Sequence, residues 1–131
     1  MEYSSEGILL AWTIRFCEEF ISEFYTLDDR VQERMLGHLR LLQSSGPALG
    51  RPHVDTLNGS RYPNMKELRF TERNAVWRVA FAFDPDRQAV ILVAGDKCGV
   101  REHRFYQVLI KQADTRFENH LSRGEKDVQD A

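Results

Sequence analysis

The chain has 131 residues, 42% of them hydrophobic and 29% charged, with a formal net charge of −2. That is the composition of one soluble globular domain with a real core, and no apolar run approaches the ~20 residues needed to span a bilayer. The acidic balance counts against a general nucleic-acid binder, yet residues 46–104 are net basic between two acidic ends, so a local cationic cleft remains open to the fold.

In chain order, residues 1–11 carry little pattern and read as an extension. The apolar patch Ile8 to Trp12 follows Glu2 and Glu6 rather than a basic segment, which argues against a signal peptide. Trp12, Ile14 and Phe16 alternate with Thr13 and Arg15, as in a half-buried strand. Glu18 and Glu19 open a helix at its positive dipole end, and Phe20, Phe24 and Leu27 give it an apolar face. Asp28 or Asp29 caps a second helix, with Val31, Met35, Leu39 and Leu42 as its buried stripe. Gly46 and Pro47 stop it. The two helices form a hairpin. Residues 46–64 are a long connection, either functional or a packed Ω-like loop pinned by Leu49, Val54 and Leu57.

Three strand-length apolar runs follow: MKELRF, VWRVAFAF and AVILVAGDKCG, with the turn signal DPD between the last two. They predict an antiparallel meander. In the middle run Trp77, Val79, Phe81 and Phe83 share the bulky face, expected to pack on the hairpin. Val76, Arg78, Ala80 and Ala82 share the small face, which leaves room for a cleft beside Arg78. Glu102 to Leu121 is the last helix, with Phe105, Leu109, Ala113, Phe117 and Leu121 on its stripe, and 122–131 is a frayed tail. The fold class is therefore α+β in a single domain, 1–131: an N-terminal strand and helical hairpin, an antiparallel meander and a C-terminal helix.

Four cations lie in or beside the meander: Lys66, Arg69, Arg78 and Lys97. An unpaired cation in mid-strand is costly, so Arg78 asks for a functional reason. Arg69 shares a strand face with Glu67 and can equally serve as its ion-pair partner. His38, His53, His103 and His120 are scattered and no paired-ligand motif occurs, so no metal site or cofactor is expected. Cys17 and Cys98 read as inert free thiols in a reducing cytoplasm.

The element order, together with the segments GPALGRPHVDTLNGSRYPNMKELRF, WRVAFAFDPDRQAVILVAGDK and FYQVLIKQAD, resembles the RelE/ParE superfamily of bacterial toxins, and most closely its phage-derived, HigB-like branch. The resemblance covers residues 12 to 121 and implies a RelE-like fold. It implies a toxin of a type II toxin–antitoxin pair, paired with a helix-turn-helix antitoxin. The toxin is expected to be monomeric when free and part of a hetero-oligomer with its antitoxin. RelE-like and HigB-like members cleave mRNA on the ribosome; ParE-like members poison gyrase, and a catalytically inactive antitoxin-binding relative is a further alternative. RNA carries its own nucleophile, the 2′-hydroxyl. Cleavage then needs that hydroxyl oriented, the pentavalent phosphate countered by positive charge, and a proton for the leaving 5′-oxygen. The expectation is that Lys66, Arg69, Arg78 and Lys97 surround the scissile phosphate, with Arg78 as principal stabiliser. Lys66 or Lys97 is the candidate base, and His103 and Tyr106 are the candidate acids.

Overall fold

The computed structural model describes the backbone of residues 2–3 and 9–130 and the side chains of residues 11–124. In the N-terminal extension, β1 (Glu2–Tyr3) pairs antiparallel with β2 (Leu9–Leu10). Then come β3 (Thr13–Phe16), α1 (Glu18–Thr26), α2 (Asp29–Ser45), a 3₁₀ turn (Gly46–Ala48) and β4 (Val54–Thr56). The chain closes with β5 (Lys66–Glu72), β6 (Ala75–Phe83), β7 (Gln88–Asp96) and α3 (Glu102–Asp130). The strands from β3 onward form one sheet, ordered β3-β7-β6-β5-β4. The meander β5-β6-β7 is its centre, as the three apolar runs require. β3 adds in parallel to the outer side of β7, and β4, which the periodicity did not announce, adds antiparallel to β5.

Asp28 caps α2 by accepting from the Arg30 amide at 2.9 Å. At the other end Gly46 has φ +54, and a Cβ there would stand 2.3 Å from the Trp12 ring. Only glycine satisfies both the left-handed turn and that approach. Met35, Leu39 and Leu42 are buried on α2 as expected, each contributing about 2 kcal/mol of transfer free energy. The bulky face of β6 does meet the hairpin: Phe70 stacks between Trp77 and His38, and Arg34 of α2 reaches Glu72 at 3.0 Å.

The small face is a different matter. It is not an open cleft beside Arg78: α3 lies on it. Ala80 and Ala82 are fully buried, and Phe105 lies 3.2 Å from where a Gly95 Cβ would project. Small side chains here let a helix approach the sheet closely. α3 itself is longer than expected. It continues beyond Leu121 through the stretch read as a frayed tail, with its backbone helical to Asp130.

The long connection is packed. Val54 and Leu57 are buried, Ser60 hydrogen-bonds Asp114, the Arg61 amide donates to Asp114 Oδ2 at 3.1 Å, and Tyr62 meets Phe117 edge-on at 5.0 Å. These contacts tie the loop to the outer side of α3.

One irregularity sets the sheet's phase. Phe81 is opposite Ile91 but Ala80 is opposite Val93, so Leu92 is the extra residue of a β-bulge. Its carbonyl accepts from Arg116 Nη1 at 2.8 Å, and Arg116 also makes two 2.7 Å bonds to Glu23 of α1.

Candidate active site

Strand alternation and register bring the site together. Arg69 on β5 is directly opposite Arg78 on β6, and Glu67 is opposite Ala80, so Glu67, Arg69 and Arg78 share the face that α3 covers. Like charges directly opposite each other are unfavourable. Two groups offset the conflict. Glu67 Oε1 accepts from Arg69 Nε at 2.6 Å, and the Tyr106 hydroxyl, from the first turns of α3, accepts from Arg78 Nε at 2.9 Å. The Tyr106 hydroxyl in turn donates to Glu67 Oε1 at 3.2 Å. The chain Arg69–Glu67–Tyr106–Arg78 is therefore continuous.

Arg78 is 7% exposed. Its Nη1 donates to the Val76 carbonyl at 3.0 Å, and its guanidinium lies 5.6 and 5.7 Å from the Phe105 and Tyr106 ring centres. Among the described residues no carboxylate pairs with it directly, and the Tyr106 hydroxyl links it to Glu67. Glu67 is 2% exposed, and its second oxygen, Oε2, has no hydrogen-bond partner. Burial raises the Tyr106 pKa, and the hydrogen bond to Glu67 and its charge raise it further, against a smaller opposing pull from Arg78. The phenol holds its proton. Burial works against the Arg69 charge, but the hydrogen bond and charge of Glu67 overcome it and hold its pKa above the ordinary value.

Two openings flank this network. One, about 230 Å³, is lined by Glu67, Arg69, Tyr106, Glu102 and residues of the β4 edge. The other, about 760 Å³, lies at the end of the sheet and is walled by Arg73, Arg78, Lys97 and Arg101, with Asp96 as its one carboxylate. Arg78 reaches both the network and the larger cleft. The cleft that the small face suggested is thus displaced beyond the first turn of α3.

The expected residues divide. Arg69, Arg78 and Tyr106 come together in one network, and Lys97, half-buried and 3.7 Å from Glu102, joins Arg78 in the larger cleft. Lys66 does not join them. Alternation places it on the Leu68 side of β5, opposite to Arg69, and its Nζ donates to Thr56 Oγ1 at 3.4 Å. His103 is exposed on the first turn of α3, lines neither opening and makes no hydrogen bond among the described residues. In the sequence Glu67 stands out only as an ion-pair partner; its spacing of two from Arg69 in KELR is the available signal for a shared buried face. Arg73 and Arg101 do not stand out at all, because turn and loop cations are ordinarily solvated. No group of three or more metal-ligating side chains occurs among the described residues. Cys17 is buried and Cys98 exposed, both free.

A five-stranded sheet with a helical hairpin on one face and a C-terminal helix on the other makes this a RelE-like fold. The solved structure of the Escherichia coli toxin RelE, a double arginine-to-alanine mutant in the free state, matches with a TM-score of 0.52 at 15% identity, covering 76% of this chain and 94% of that one. The phage-derived Gp49-like family (DUF891) matches residues 22–118, and the chain belongs to it. Two Mycobacterium tuberculosis proteins bearing toxin names are similar: HigB2, 46% identical over 100 residues, and HigB3, 44% identical over 99 residues. Each match covers 76% of this chain; it spans about half of HigB2 (49%) and most of HigB3 (84%). This places the chain in the HigB-like branch of the RelE/ParE superfamily. No helix among the described residues is long and apolar enough to cross a membrane.

Proposed function

We propose that this protein is the toxin of a type II toxin–antitoxin pair, an endoribonuclease that cuts mRNA on the ribosome in the cytoplasm and is held inactive by a helix-turn-helix antitoxin in a hetero-oligomer. The observation that carries the reading is Arg78: a buried guanidinium with no carboxylate paired to it among the described residues, held against the Tyr106 hydroxyl at 2.9 Å and opening on a cationic cleft. A gyrase poison acts by binding and has no need of a buried, half-satisfied charge network.

In the proposed reaction the 2′-oxygen attacks phosphorus, the bond to the 5′-oxygen breaks, and a 2′,3′-cyclic phosphate forms. Arg78 and Lys97 counter the charge that grows on the phosphate oxygens, where a preorganised donor is worth about 3–4 kcal/mol. Glu67, which lines the smaller opening, accepts the 2′-hydroxyl proton on Oε1, the oxygen that faces the Tyr106 hydroxyl. Tyr106 gives its proton to the 5′-oxygen and recovers one from Glu67 along their hydrogen bond, which returns both groups to their starting state. Arg69 pairs with Glu67 and orients it. Lys66 and His103 have no part in this scheme.

The experiment is primer extension on total RNA after brief induction, beside Arg78→Ala. New 5′ ends inside translated frames, absent in the variant, are expected. Growth arrest with intact mRNAs sinks the endonuclease reading, and an induced SOS response would point to gyrase.

A further inference from the structure

The hairpin between β5 and β6 closes at the Glu72–Ala75 pair, so its loop is two residues, Arg73 and Asn74, with φ of 50 and 61. Both are left-handed, as a type I′ turn requires. Asn suits this conformation; Arg does not, and glycine is the residue that would adopt it without strain. The turn thus carries the Arg73 side chain at a position where glycine would be easier.

That side chain lines the larger cleft, and Arg101, from the loop before α3, lines it too. Arg34, Arg51, Arg61, Arg69, Arg116 and Arg123 each reach a carboxylate. Arg73 and Arg101 make no side-chain hydrogen bond or ion pair among the described residues. The one carboxylate in the cleft, Asp96, accepts from the Cys98 amide at 3.2 Å. The cleft therefore holds a surplus of unneutralised guanidinium groups around Arg78, with apolar surface from Ala75, Val76 and Val100 between them.

We infer that Arg73 and Arg101 are a phosphate-binding subsite of this cleft, holding the phosphates of single-stranded RNA that flank the one at Arg78. A guanidinium fork matches two phosphate oxygens at once. The two-residue turn presents Arg73 from a short, rigid tip rather than a long loop. The inference rests on the endonuclease reading and deepens it: Arg73 and Arg101 bind and position, while the network around Arg78 does the chemistry.

The test is single-codon cleavage of mRNA on programmed ribosomes by wild type, Arg73→Gly, Arg73→Lys and Arg101→Gln, with kcat and KM separated. Removing one charge-assisted hydrogen bond to phosphate should raise KM about tenfold in Arg73→Gly and Arg101→Gln, with kcat near wild type. The slope of log(kcat/KM) against log salt should become shallower by about 0.7 for each phosphate no longer neutralised. Arg73→Lys keeps the charge but not the fork, so it should restore the salt slope and only part of KM. Arg73→Gly should melt no lower than wild type, because glycine suits φ 50, which separates weakened binding from weakened folding. If wild type cuts while Arg73→Gly and Arg101→Gln keep its KM and salt slope, the subsite is wrong and the endonuclease reading stands. A loss confined to kcat would also overturn it, by making these residues part of the chemistry. A wild type that cuts no RNA overturns both.

Discussion

α3 covers two buried polar clusters, one near each end, and they are built to opposite standards. Towards its C-terminal half, Asp84 accepts from the amides of Asp86 and Gln88, from Gln88 Nε2 and from His120 Nε2, all within 3.0 Å. Arg116 on the same half makes three hydrogen bonds, two to Glu23 and one to the Leu92 carbonyl. At the N-terminal half, among the described residues, Glu67 keeps an oxygen without a hydrogen-bond partner and Arg78 has no paired carboxylate. A buried charge is tolerated when every lone pair and proton is matched. Asp84, with four donors, comes close to that condition and serves as an anchor. The N-terminal one does not, and its unmet bonding capacity is what a substrate phosphate and hydroxyl would complete.

The contrast can be broken by removing one charge from each end. Arg78→Ala should lower RNA cleavage about 100- to 1000-fold, while its melting temperature changes little. A collapse of folding in that variant would mean that Arg78 is an anchor as well. Asp84→Ala should do the reverse. Stranding four donors should cost about 3 kcal/mol in denaturant unfolding, with cleavage per folded molecule unchanged.

Acid should separate the clusters too. Burial alone would raise the Asp84 pKa, but the bonds from His120 and Gln88 outweigh it and hold it below the ordinary carboxylate value. A depressed folded pKa contributes stability that is fully present above the unfolded value, about 4, and is lost as pH falls through the folded one. The stability gap between wild type and Asp84→Asn should therefore be flat from neutral pH to about pH 5 and close below it; a gap that closes near neutral pH would show that another group sets it.

Glu67→Gln sharpens the comparison. It keeps the shape and removes the buried charge, so cleavage should fall about 100-fold with thermal stability equal to or above wild type. A marked loss of stability would make Glu67 a plain structural ion pair. The smallest effect should be that of Lys66→Ala, within about threefold of wild-type cleavage and 0.5 kcal/mol of wild-type stability, because its side chain leaves the far side of the sheet.

The sequence was legible where one period ruled. The apolar spacing of α2, the alternation in β6 and the DPD turn led directly to elements that the structure contains. Arg78 stood out because a mid-strand cation conflicts with its neighbours, and that conflict is local. What could not be read was which face an unmarked element would cover. The small residues of β6 were compatible with a void or with a close helix, and Phe105 against Gly95 decides for the helix. Lys66 was grouped with Arg69 by proximity in the chain, although strand residues three apart point to opposite sides. β4 is three residues long and gains its place from pairing with β5, a contact that no short-range pattern encodes.

The extra residue at Leu92 has a further consequence: it is a phase shift written into β7. Before it, Ala89 and Ile91 lie opposite Phe83 and Phe81 on the hairpin side; after it, Val93 and Gly95 lie opposite Ala80 and Arg78 on the α3 side. Were Leu92 paired in the ladder instead of bulged out of it, the odd and even positions beyond it would trade places. Asp96 and Ala94 would then turn towards Phe105, and the one position small enough for that ring would face the hairpin. A one-residue change of length beyond Leu92 would flip the face that Gly95 presents, and Arg116, gripping the Leu92 carbonyl and Glu23 at once, is the clamp that holds the extra residue in place.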